Sequence, residues 1–119
     1  TVELVRVVPF ASAGVYAPGF AGAAYAGTID EVERSLEQDA EGYLQQKMPL
    51  VSGAPSVRAF VLRGSPFQAI SDFAHEQQVD LVMMSSHGRS GLRRIALGSV
   101  ATSVIHDSGV PVLLVPAAR

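Results

Sequence analysis

Residues 84–99 read MSSHGRSGLRRIALGS, gathering glycine, serine and arginine around one histidine with an apolar run on each side. These residue types at this spacing suit the holding of an anion. A helix start leaves its first backbone N–H groups unpaired at the positive end of the helix dipole, and glycine lets a phosphate come close to the chain. Gly98 and Ser99 stand where a helix is expected to begin, and the Ser99 hydroxyl is a further donor. Gly88 and Gly91 allow the loop to fold back, and Arg89 offers a cation. The P-loop pattern G-x-x-x-x-G-K-[ST] and the dinucleotide pattern G-x-G-x-x-G are both absent. Residue types alone therefore leave two readings open: a phosphate seat, or a plain helix cap behind ordinary glycine turns. His87 is the one histidine of the loop, but no Asp or Glu in the segment orients it, so no nucleophile and base pair can be assigned.

The elements that must position this loop follow from periodicity. Val2 to Val8 reads as a strand ending at Pro9, and residues 9–27, rich in Gly, Ala and Pro, read as a long loop. From Thr28, apolar residues recur at threes and fours (Ile29, Val32, Leu36, Ala40, Tyr43, Leu44, Met48), which predicts an amphipathic helix. Thr28 and Glu31 have the spacing of a capping box, and Lys47 suits the helix end. Val57 to Leu62 reads as a second strand. Ser65, Pro66 and Gln68 then open a helix running to about Gln78, with Phe67, Ile70, Phe73 and Ala74 inward and His75 on the surface. Asp80 to Met84 is the near-continuous apolar run of a strand covered on both faces. Ser99 to Asp107 is expected as a helix with Val100, Val104 and Ile105 inward, stopping at Gly109, and Pro111 to Val115 as a last strand. Alternating strands and helices predict an α/β fold, an open parallel sheet with helices on both faces. Right-handed crossovers put residues 84–99 on the rim where such folds bind ligands.

Bulk composition narrows the function. A chain of 119 residues is expected to form one domain over 1–119. The net charge of −2 argues against charge-driven binding to nucleic acid or anionic lipid, and no apolar run approaches the ~20 residues of a membrane span. Six of the eleven acidic residues lie between Asp30 and Glu41, whereas Arg89, Arg93 and Arg94 lie in the glycine loop. With no cysteine and no signal-like start, the expected compartment is the cytoplasm.

The run DLVMMSSHGRSGLRRIALGSVATSVIHDSGVPVLLVP resembles the carboxyl-terminal half of the universal stress protein family, whose ATP-binding members carry G-x2-G-x9-G-[ST]. Gly88, nine intervening residues, Gly98 and Ser99 match that motif, and Ser85 replaces its first glycine. The resemblance implies a flavodoxin-like fold and a site for ATP accompanied by magnesium or manganese. Val7 would touch adenine, and Met84 and Ser85 would line the base and ribose. Gly88, Gly98, Ser99 and Val100 would surround ribose and phosphates, and Arg89 is added on charge. It also implies a homodimer through the apolar last strand, an unidentified protein partner, and a regulatory rather than catalytic role in stress response.

Family members begin with one more strand and helix, the strand lying mid-sheet. That unit would precede Thr1, so the expectation is either that the sequence is a piece of a longer chain or that another chain fills the gap. Val2 to Val8 should then not pair directly with Asp80 to Met84. Two alternatives stay open: a family member that binds no nucleotide and acts through protein contacts, which Ser85 leaves possible, and a slow ATPase or phosphotransferase using His87.

Overall fold

A computed structural model describes residues 1–10, 28–85 and 97–116. Its elements are β1 (Val2–Val8), α1 (Ile29–Lys47), a 3-10 turn (Met48–Leu50), β2 (Val57–Arg63), α2 (Pro66–Glu76), β3 (Val82–Ser85), α3 (Ser99–Asp107) and β4 (Val112–Val115). This is the expected α/β order with parallel strands. The strands pair as β1–β2 and as β3–β4, and no ladder among the described residues joins Val2–Val8 to Val82–Ser85. Most of the loop at 9–27 and the centre of the glycine loop lie outside the described residues. The chain divides into two compact units, Thr1–Pro66 and Phe67–Arg119.

In the first unit, the parallel ladder runs from Val2 opposite Val57 to Val8 opposite Arg63. Because side chains alternate, Val2, Leu4, Arg6 and Val8 share one face with Val57, Ala59, Val61 and Arg63. α1 packs on that face: the Arg6 guanidinium lies 4.4 Å from the centre of the Tyr43 ring, and Arg63 reaches Glu33 at 2.9 Å and Glu37 at 2.5 Å. On the other face Glu3 pairs with Arg58, and among the described residues the second Glu3 carboxylate oxygen is buried with no hydrogen-bond partner. The capping box forms as expected. The Glu31 N–H donates to Thr28 Oγ1 at 3.3 Å, and the Thr28 N–H donates to Glu31 Oε2 at 2.9 Å.

The buried stripe of α1 is narrower than the periodicity implied. Val32, Ala40 and Leu44 are buried, whereas Ile29 is 59% and Tyr43 is 43% exposed. Ile29 is the first residue of the helix. The Tyr43 ring is flanked by two cations, Arg6 together with Lys47 Nζ at 5.2 Å. β2 is one residue longer than expected, because the Gly64 N–H donates to the Val8 carbonyl at 3.0 Å and extends the ladder to Arg63. The chain turns away only at Gly64, whose φ of +114° favours glycine.

In the second unit, α2 buries Ser71, Phe73 and Ala74 and leaves His75 exposed. The expected use of Gln68 in a capping box is not what it does: its amide donates to Asp72 one turn on, at 2.9 Å. The helix ends at Glu76, two residues early, in a Schellman motif. The Val79 N–H donates to the Ala74 carbonyl at 2.9 Å, the Gln78 N–H donates to the His75 carbonyl at 3.1 Å, and Gln78 takes a φ of +52°.

β3 pairs with β4 from Val82 opposite Val112 to Ser85 opposite Val115. The expectation that this strand is covered on both faces fails in part. Met83, Ser85, Leu113 and Val115 form an exposed row, Met83 at 64%, while Val82, Met84, Val112 and Leu114 are half-buried. An all-apolar run states that both faces can be covered, not that both are. α3 has the expected bounds, but its inward residues are Ala101 and Val104, followed by the fully buried Ser108, while Ile105 is 39% exposed. A nine-residue helix has only about two and a half turns, so one residue's rotation of the stripe changes which side chains reach the core. Gly109, at φ +65°, ends it, with the His75 ring 3.6 Å from where a Cβ on this glycine would stand.

Candidate functional site

The first turn of α3 is an open helix start. Gly98 is its N-cap, with extended backbone at φ −58° and ψ 150°, and it has no side chain to turn back. Its carbonyl accepts the Thr102 N–H at 2.9 Å and the Thr102 hydroxyl at 3.1 Å. Among the described residues, the N–H groups of Ser99, Val100 and Ala101 meet no acceptor. Nor does the first turn contain an acidic side chain that would neutralise the dipole. α1 is the contrast within the same chain. Its start carries Asp30 and Glu31, and Thr28 and Glu31 satisfy it reciprocally. In α1 a side-chain cap engages the Glu31 amide; among the described residues, no side chain engages the first three amides of α3.

Met84 is half-buried and Ser85 exposed, at the carboxyl end of β3. Because β4 is parallel to β3, the intervening chain must return to the opposite end of the sheet, and α3 makes that return. Its start therefore lies toward the end of the sheet where β3 finishes, the end to which Met84, Ser85, Gly98, Ser99 and Val100 belong. Ser99 is exposed and Val100 half-buried. Val7 belongs to the first unit, where it is half-buried on the face of β1 shared with Glu3 and Val5. Gly88 and Arg89, with His87 and Gly91, lie outside the described residues. Sequence reasoning missed Thr102. Its spacing of four from Gly98 was the available signal, since a helical Thr hydroxyl often bonds the carbonyl one turn back.

Among the described residues, no three His, Cys, Asp or Glu side chains converge as metal ligands, and no helix is long and apolar enough to cross a membrane. Among the described residues, the perturbed acidities belong to an ion pair of the first unit. A hydrogen bond from Arg63, with its charge, holds the Glu37 carboxyl below the usual carboxylate range, and the same contact pushes the pKa of Arg63 above its ordinary value.

A parallel α/β architecture, in which the strand Val82–Ser85 is followed in sequence by a glycine-rich stretch and then by a helix whose start has no side-chain cap, places the chain in the class of α/β proteins built on parallel strands. Within that class the chain belongs to the universal stress protein family, whose model matches residues 1–116. It is 33% identical to universal stress protein MJ0577 of Methanocaldococcus jannaschii over 87 residues, which is 72% of this chain and 54% of that protein. To universal stress protein MJ0531 of the same organism it is 32% identical over 97 residues, 81% of this chain and 57% of that one. The chain thus spans little more than half the length of these relatives. Among solved structures, that of hypothetical protein MJ0577 superposes with a TM-score of 0.77 at 27% identity, covering 99% of this chain and 76% of the other. The universal stress protein UspA of Lactobacillus plantarum gives 0.72 at 20% identity, covering 95% and 75%, and so supports the fold alone.

Proposed function

We propose that the protein is an ATP-binding universal stress protein, a small regulatory module whose contacts with a second copy or a partner depend on nucleotide. The observation that carries this reading is that, among the described residues, the amides of Ser99, Val100 and Ala101 meet no acceptor behind a side-chain-less N-cap. They stand where Gly88, Gly98 and Ser99 reproduce the motif spacing of ATP-binding family members. The donor set fits a triphosphate: backbone N–H groups supply direction, the Ser99 hydroxyl one further bond, and the dipole the field. Gly98, Ser99 and Val100 hold the phosphates together with Gly88 and Arg89, while Met84 and Ser85 line the ribose and base. Magnesium or manganese arrives with the phosphates and neutralises part of their charge.

The test is calorimetric titration with magnesium ATP on the wild-type chain and on Gly98→Asp. The extended N-cap geometry accepts aspartate, whose carboxylate occupies the amides and repels phosphate. Wild type should bind, and the variant should lose at least about tenfold in affinity, the equivalent of one lost charge-assisted hydrogen bond of ~1.5 kcal/mol. Its thermal midpoint should stay the same or rise, because aspartate is the better cap. No binding by wild type at millimolar ATP, or equal binding by both, overturns the proposal.

A second reading keeps the fold without the nucleotide and rests on Ser85. A serine where the motif has its first glycine adds a Cβ and a hydroxyl at the exposed end of β3. Ser85→Gly separates the two readings. It should tighten ATP binding if the serine crowds the ribose, and leave a purely protein-mediated function untouched.

A further inference from the structure

The free edge of β2 is a second feature of the first unit, unrelated to the nucleotide site. The Val2 N–H donates to the Ser56 carbonyl and the Gly64 N–H to the Val8 carbonyl, so the ladder to β1 uses the even-numbered residues of the second strand. The backbone N–H and C=O groups of Val57, Ala59 and Val61 consequently point away from β1, and among the described residues they have no partner. Natural edges are blunted by proline, by bulges or by an edge lysine. β2 has none of these: its register is continuous over VRAFVLR. Arg58 lies on the face away from α1, tied to Glu3, and Arg63 is engaged by Glu33 and Glu37.

Beside this edge runs a groove floored by Ala59, Phe60 and Val61 and walled by α1 through Glu37, Gln38, Glu41 and Gln45. Gly42 interrupts the wall, and no atom lies within 4 Å of where its Cβ would stand, so the groove is open there. Glu41 forms no ion pair among the described residues. We infer that this groove docks an extended segment of a partner protein as an added strand, with lysine or arginine at alternate positions facing α1. The added backbone satisfies the outward groups of Val57, Ala59 and Val61, and the alternating cations meet Glu41 and the glutamines. A second copy of this chain is a poor occupant. Pairing β2 with itself sets one acidic wall against another, and like charges across an interface repel.

The probes are two short fluorescent peptides, one alternating valine with lysine and one alternating valine with glutamate, followed by anisotropy on the intact chain. The lysine peptide should bind and the glutamate peptide should not. Affinity should fall at least about tenfold between about 0.1 and 1 M salt, as the Debye length shrinks from ~10 to ~3 Å. Binding should slow amide exchange at Ala59 and Val61. Glu41→Lys with Gln45→Lys should reverse the peptide preference. Ala59→Pro should abolish binding while leaving the circular dichroism spectrum unchanged, because the Ala59 N–H serves no ladder bond. The inference is overturned if the lysine peptide fails to bind, if it binds the charge-reversed chain equally well, or if protection appears on β4 instead of β2.

Discussion

At the scale of single residues, the chain treats two helix starts in opposite ways, and Gly98 is where the difference is made. A capping side chain at that position satisfies the helix amides from within; its absence leaves them for another group. The spacing of Gly88, Gly98 and Ser99 was legible in the sequence because glycine and serine advertise backbone geometry. The exposure of Ile29, Tyr43 and Ile105 was not, because periodicity gives the direction of a stripe without its width. Tyr43 in particular reads as core by spacing and is instead flanked by Arg6 and Lys47. Glu37 yields a pH prediction. Its carboxyl is held low chiefly by the hydrogen bond from Arg63, so the stability it contributes is present above the ordinary carboxylate pKa and is lost as pH falls through the depressed folded value. Urea midpoints of wild type and Arg63→Ala should therefore differ at about pH 6 and converge only once pH has fallen through the depressed Glu37 value, below the ordinary carboxylate range. A gap of constant size would show that Arg63 acts through packing alone.

At the scale of elements, boundaries with an unambiguous punctuating residue were read correctly, and those decided by tertiary or unusual local chemistry were not. Thr28 with Glu31 fixes the start of α1, and Gly109 fixes the stop of α3. Thr28→Ala should cost about 1 kcal/mol of unfolding free energy, measured by denaturant titration. The end of α2 escaped reading because the left-handed residue of its Schellman motif is Gln78 rather than glycine. A left-handed backbone strains a residue with a Cβ by roughly 1–2 kcal/mol, and glycine gives back part of that gain through its freer unfolded chain. Gln78→Gly should then raise stability by about 0.5–1 kcal/mol, and a loss on this substitution would mean that the glutamine side chain is itself anchoring the turn. The half-open face of β3 and β4 belongs to the same group of surprises. Composition announced apolar strands, and only pairing and burial could show that the Met83 row is left outside.

At the scale of the whole molecule, the last strand bears on assembly. The Val82 N–H donates to the Pro111 carbonyl, so the ladder uses the odd-numbered residues of the fourth strand and leaves the N–H and C=O groups of Val112 and Leu114 facing outward. The homodimer expected through this strand would join those groups to their copies. Light scattering at micromolar concentration should report twice the chain mass for wild type and the single mass for Leu114→Pro, whose lost N–H serves no internal ladder bond. A wild-type monomer removes this interface.

Alternation in β2 has one more consequence, for how this protein can change length. Inserting a single amino acid midway along VRAFVLR would exchange inside for outside in everything beyond it, placing the residues that now face away beneath α1 and turning outward amides toward β1. Inserting two would restore both relationships. Natural variants of this strand should accordingly differ in length by even steps, with odd ones surviving only where a bulge absorbs the extra residue.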